Sequence, residues 1–118
     1  NGLAVYDQIV RQVKFAVADG AVRAGEFVPS VRELARDLAI NPNTVARAYR
    51  QLQDDGVLLA ERGTGLAVAT TARRQCRTER SQLIRARLRQ VLQEAHTSGL
   101  DRDEIERIVQ SEVKRSVR

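Results

Sequence analysis

The 118-residue chain has no tryptophan, no methionine, one cysteine, one histidine and two prolines. Its two tyrosines and two phenylalanines are 3% of the sequence. A lone cysteine, Cys76, excludes an intrachain disulfide framework and fits a reducing compartment. With His96 as the single histidine, no cluster of His and Cys ligands can form, so no metal site is expected. No run of about 18 or more apolar residues occurs, so neither a membrane-spanning helix nor a membrane partner is expected. No signal-peptide pattern opens the chain, which leads to the expectation of a cytoplasmic protein. Nucleophile–base pairs, phosphate-cradling loops and paired-acid motifs are also missing. The chain is therefore not read as an enzyme, and no cofactor is expected.

What is present is aliphatic and charged. Val, Leu, Ile and Ala make up most of the 42% apolar content, which suits the packing of small helices. The length allows one compact domain, or a small domain with an extension, and is too short for a large enzyme core. The net charge of +5 permits a polyanionic partner. Its distribution is uneven. Up to Thr70, eight cations meet eight anions, so the excess lies beyond residue 70, beginning with "RRQCRTER".

Apolar spacing and helix caps divide the chain into elements. Ile9, Val10, Val13, Ala16 and Val17 predict a helix from about Tyr6 to Asp19, closed by Gly20. "AVRAGEFVP" is a connector with room for a short extended piece. In "PSVRELARDLA", Ser30 and Glu33 form a capping box, and Val31, Leu34, Ala35 and Leu38 are its expected buried stripe. A third helix follows after a turn of a few residues, with Asn41 as N-cap and Pro42 at its first position. Val45, Ala48, Tyr49 and Leu52 face inward, and Gly56 closes it. Two short apolar runs, Val57–Ala60 and Leu66–Ala69, flank "ERGTG" and predict a β-hairpin. The order helix, helix, turn, helix, hairpin is that of a winged helix-turn-helix domain.

The stretch "INPNTVARAYRQL" carries the functional signal. A recognition helix enters the major groove N-terminus first. Asn43 and Thr44 on its first turn can hydrogen-bond bases or phosphates, and free amides at a helix start suit a phosphate. Arg47, one turn in, can fork onto guanine O6 and N7. Any helix would accept Asn41 and Pro42 as caps, and Arg47 and Arg50 are also acceptable as solvated charges. Context favours the DNA reading. Arg32 lies at the start of the preceding helix. Arg62, Gly63, Thr64 and Gly65 form the hairpin tip, where Arg62 or Thr64 can probe the minor groove. Ordinary turn chemistry accounts equally well for Gly63 and Gly65.

The segment "PSVRELARDLAINPNTVARAYRQLQDDGVLLAERGTGLAVA" resembles the DNA-binding domain of GntR-family bacterial transcription regulators. The likeness extends back through "VYDQIVRQVKFAVADGAVRAGEFVPS" and covers roughly residues 4 to 70. The two-helix tail is similar in length and helix count to that of the YtrA subfamily. The resemblance implies a dimeric repressor bound to an inverted-repeat operator in double-stranded DNA, in a transporter operon. Its DNA contacts would fall on Arg32, Asn43, Thr44, Arg47 and the wing around Gly63 to Gly65. Pro42 and Ala46 stand where many relatives carry arginine, which implies fewer direct guanine contacts. Val28 replaces a common leucine.

The predicted architecture is mainly α with a small β-hairpin. A winged helix-turn-helix domain occupies residues 1–70, and a linker and helical dimerisation domain occupy 71–118. "TTARRQCRTERS" is taken as a solvated linker leading into a helix that starts at Thr78 or Ser81, with phosphate bracing as the alternative. Cys76 is expected as an incidental surface residue; as a redox sensor it would need its pKa lowered by Arg73, Arg74 and Arg77. A final helix starts at Asp101, with Glu104 completing a capping box. Ile84, Leu88, Val91, Leu92, Ile105, Ile108 and Val109 are expected to build a homodimer core; packing on the winged domain of the same chain is the alternative. A small-molecule effector, if there is one, is expected at the dimer interface or between domains, and the sequence does not identify it. A winged-helix protein-interaction module without sequence-specific DNA binding is the alternative function.

Overall fold

The computed structural model describes residues 4–117. Helix α1 (Val5–Asp19) ends where Gly20 turns left-handed at φ 82° and returns its amide to the Ala16 and Val17 carbonyls. Ile9, Val17 and Ala18 are its buried residues, and Val10 and Val13 pack against the same core. Helix α2 (Val31–Leu38) starts at the expected capping box: Ser30 Oγ accepts from the Glu33 amide at 3.1 Å, and Glu33 Oε1 accepts from the Ser30 amide at 3.0 Å. Its stripe is narrower than expected. Ala35 is buried, Val31 and Leu34 are half-buried, and Leu38 is 47% exposed. The reason is the helix end. Ala39 turns left-handed at φ 55°, and Ile40 returns its amide to Ala35 O at 3.0 Å, so Ile40 packs inward in place of Leu38.

Helix α3 (Pro42–Asp54) is capped by Asn41, whose Oδ1 accepts from the Asn43 amide at 2.8 Å. Val45, Ala48, Tyr49 and Leu52 are all buried, as their spacing predicts. The Tyr49 hydroxyl donates to Pro29 O at 2.7 Å, so its one polar atom is satisfied. Strands β1 (Leu58–Glu61) and β2 (Gly65–Val68) pair antiparallel, Leu58 opposite Val68 and Glu61 opposite Gly65. The connector before α2 does contain an extended piece. Phe27 bridges Ala67, and amide–carbonyl bonds link Gly25 to Val68, Val68 to Glu26 and Val28 to Leu66. The hairpin is thereby tied along its second strand to the segment that leads into α2.

Helix α4 (Ala72–Thr97) starts well before the expected Thr78 or Ser81. The polar run is not a solvated linker. Ala72 and Cys76, four residues apart on one face, are 0% and 1% exposed. Gln75 donates to Asp55 O at the end of α3, at 2.7 Å. Arg80 pairs with Asp19 at the end of α1. Lys14 of α1 sits 2.9 Å from both Asp55 and Glu79, joining α1, α3 and α4. Asp55, unfavourable next to a helix C-terminus on its own, is stabilised by that lysine. Burial, with Glu79 nearby, pushes the Cys76 thiol up from its ordinary value. This is the reverse of the lowering that a redox sensor would need, and the arginines of the run do not contribute to the shift.

The chain divides into two compact units, one up to Arg80 and one from Ser81, later than the boundary expected at residue 70. Every buried residue lies in the first unit. That unit has the α1-α2-α3-hairpin order of a winged helix-turn-helix, with the start of α4 added. The second unit holds the rest of α4 and α5 (Arg102–Ser116), whose capping box joins Asp101 and Glu104 at 2.9 and 3.2 Å.

Candidate nucleic-acid interface

The side of α3 opposite its buried stripe carries Asn43, Thr44, Arg47 and Arg50. Asn43, Arg47 and Arg50 are exposed and Thr44 is half-buried. A helix brings residues three and four apart onto one face, which groups Asn43 with Arg47 and Thr44 with Arg47. The backbone of the first turn is not free, contrary to expectation. Pro42 has no amide hydrogen, the Asn43 amide is taken by Asn41 Oδ1, and the Thr44 amide is taken by Asn41 O at 3.0 Å. The strong cap that fixes the helix start also uses the amides a phosphate would need. Only side chains can donate from this turn.

Arg32 lies in the first turn of α2 and is exposed. Arg62 and Gly63 lie in the hairpin turn, with Thr64 and Gly65 following. The Thr64 amide returns to Glu61 O at 3.1 Å, and its hydroxyl reaches the same oxygen at 3.4 Å. Gly63 and Gly65 have φ of 75° and 116°, so the turn itself demands glycine. Thr64, Gly65 and Leu66 line a cleft of about 500 Å³ with Ser30, Val31 and Glu33, which sets the wing beside the helix start that carries Arg32. The Glu33 carboxyl is lowered from its ordinary pKa, chiefly by the Ser30 amide. Arg32, Arg50 and Arg62 form no ion pair among the described residues.

Arg47 differs from these three. Its guanidinium carbon stands 3.8 Å from the centre of the Tyr6 ring, and Nη2 donates to the Tyr6 hydroxyl at 3.2 Å. The sequence reading missed Tyr6, and spacing could not have found it, because the pair is 41 residues apart.

The profile of the bacterial regulatory proteins of the gntR family matches residues 5–68, over half of the chain. The chain belongs to the GntR family. This GntR chain is 33% identical over 101 residues to the HTH-type transcriptional repressor YtrA of Bacillus subtilis, covering 86% of this chain and 78% of that protein. The crystal structure of a transcriptional regulator from Oenococcus oeni superposes with a TM-score of 0.86 at 33% identity, covering 96% of this chain and 93% of that one. The DNA-binding domain of AraR in complex with operator ORE1 shares the fold over 57% of this chain and 82% of its own, with a TM-score of 0.54 at 24% identity. The matched span runs from the start of α1 to the end of β2. The beginning of α4, which completes the first unit of this GntR chain, lies beyond it.

In the second unit, six of the seven residues expected in a dimer core (Leu88, Val91, Leu92, Ile105, Ile108 and Val109) line one cleft of about 330 Å³ between α4 and α5. Ile84 does not line it. Ile84, Leu88, Val91 and Ile108 are 50–57% exposed. Among the described residues no helix is long and apolar enough to cross a membrane, and no group of three His, Cys, Asp or Glu side chains could hold a metal ion.

Proposed function

We propose that this GntR-family chain is a YtrA-like, sequence-specific DNA-binding regulator that represses transcription as a two-fold dimer on an inverted-repeat operator. The observation that carries this reading is α3. Four residues of one stripe are buried, and the opposite side presents amide, hydroxyl and guanidinium groups on a helix fixed by its cap. Arg47 reads a guanine, and Asn43 and Thr44 contact an adjacent base or phosphate through their side chains. Arg32 holds a backbone phosphate. The amides of Val31 and Arg32, which make no hydrogen bond with the described residues, support that role better than the closed first turn of α3. Arg62 and Thr64 follow the sugar-phosphate wall, with Gly63 and Gly65 shaping the turn that presents them.

Charge supports the same reading. Extending the first unit to Arg80 adds four arginines and one glutamate to a neutral segment, so the unit is basic. The exposed apolar side chains of α4 and α5 supply the two-fold contact, and homodimerisation places two α3 helices on two half-sites. On the likeness to YtrA, the regulated genes are assigned to a transporter.

Arg47→Ala tests the base-reading role. It should cost about 1–3 kcal/mol at one base pair of each half-site and leave other positions unchanged. Arg32→Ala should instead weaken binding to all sequences alike and lower the salt slope by about 1. Equal loss on all sequences for Arg47→Ala would remove it from the base-reading set.

A further inference from the structure

We infer that Tyr6 is a positioning residue for DNA readout, holding the Arg47 guanidinium in the orientation that selects a base. The inference rests on the reading of α3 given above and adds a residue from a different helix to its specificity.

The geometry supplies the argument. Tyr6 is half-buried and packs against the core cluster together with Val10 and Val13 of the same helix, so the body of α1 fixes the ring. The guanidinium lies 3.8 Å from the ring centre, within the range of a cation–π contact, and Nη2 donates to the hydroxyl at 3.2 Å. A stack alone would leave the guanidinium free to turn over the ring. The hydrogen bond adds a second point and restricts that rotation.

Arginine carries five N–H donors in a planar fork. The Tyr6 hydroxyl uses one of them and leaves four, and Arg47 remains exposed. A bidentate contact on guanine O6 and N7 needs the fork near the plane of the base, so the side chain's orientation decides its selectivity. A free arginine loses rotamer freedom when it binds. One already held loses less, which strengthens binding without a new contact to DNA. Among the described residues this is the one cation–π pair, and it involves the cation placed to read a base. Arg32, Arg50 and Arg62 have no such support, which fits contacts to phosphate, where orientation matters less.

The test uses the full chain and a duplex recovered by selection from a random library, with single base-pair variants of that duplex. Tyr6→Phe keeps the stack and removes the hydrogen bond; Tyr6→Ala removes both. Thermal melting checks that each variant folds, and Tyr6→Phe, which keeps the packed ring, carries the test if Tyr6→Ala does not. The expected loss of affinity for the preferred duplex is about twofold to tenfold, with Tyr6→Phe the smaller. The loss should be confined to the base pair at which Arg47→Ala also loses preference, and neither Tyr6 variant should weaken Arg47→Ala any further. A loss that is uniform over all duplexes, or additive with Arg47→Ala, would mean that Tyr6 acts through the fold or through its own phosphate contact, and would overturn the inference. Tighter binding by Tyr6→Phe would mean that Tyr6 sequesters Arg47, and would overturn it as well. If Arg47→Ala itself leaves base preference intact, the reading of Arg47 fails first and takes this inference with it.

Discussion

Leu88→Ala is the sharpest test of the second unit. In the single chain Leu88 is 50% exposed, on a surface shared with Val91 at 57% and Ile108 at 50%. Complete burial of a leucine side chain is worth about 1.5–3 kcal/mol, so the exposed half offers about 1 kcal/mol to association. A two-fold interface contains the residue twice, so the substitution should cost about 2 kcal/mol of dimer stability. At about 1.4 kcal/mol per decade, this is roughly a thirtyfold rise in the dimer Kd. Sedimentation equilibrium over a concentration series measures it. Leu59→Ala is the control, because Leu59 on β1 is equally exposed, at 52%, and is not assigned to the interface. An unchanged Kd for Leu88→Ala, or a wild-type chain that stays monomeric at every concentration, would refute the assignment of this face.

Four further outcomes follow from the first unit. Cys76, at 1% exposure and with its thiol pushed up by burial, should react with a thiol reagent near pH 8 far more slowly in the folded chain than after denaturation; a rate equal to that of the unfolded chain would undock the start of α4. Burial pulls the Lys14 ammonium down, but its bonds to Asp55 and Glu79 outweigh this and leave it above 10.5, while burial raises the Tyr49 hydroxyl from 10.0 to about 12. Both groups therefore hold their protons longer in the folded chain, so their contribution to stability is complete below about pH 10 and falls as pH rises further; melting across that range should show the fall, and a combined Lys14→Met, Tyr49→Phe variant should flatten it. Ser30→Ala should cost about 1 kcal/mol by opening the α2 cap, and because the Glu33 carboxyl is lowered, the cap's contribution should persist above pH 4.5 and be lost as pH falls below it. Ala39→Gly should stabilise the chain by up to about 1 kcal/mol, since Ala39 occupies left-handed backbone at φ 55°; a lower melting temperature would mean that the greater freedom of glycine in the unfolded chain wins.

The elements that could be read from sequence are those defined by local chemistry. Ser30 with Glu33, Asn41 with Pro42 and Asp101 with Glu104 each complete their cap within a few residues, so the starts of α2, α3 and α5 were legible. The inner face of α3 was legible for the same reason, since four of its residues recur at helical spacing. The start of α4 was not. Its buried stripe there is only Ala72 and Cys76, two small side chains in a charged run, and what holds it in place comes from Lys14, Asp19 and Asp55, far away in the chain. Leu38 was misjudged because periodicity cannot tell where a helix stops; the left-handed turn at Ala39 moved that duty to Ile40. In the candidate site, the cations could be named from the sequence but their surroundings could not. Closure of the α3 amides depends on which acceptor each takes, and the Tyr6–Arg47 pair on how α1 and α3 pack.

The central claim is that the exposed side of α3 reads sequence as one of a pair. Selection of bound duplexes from a random library at moderate salt, followed by sequencing, tests it most directly. The account predicts an inverted repeat, each half-site containing a guanine whose preference disappears with Arg47→Ala. Recovery of no preferred sequence, with binding that vanishes as salt rises, would leave only phosphate attraction. It would contradict the account in favour of a winged-helix module that binds another protein.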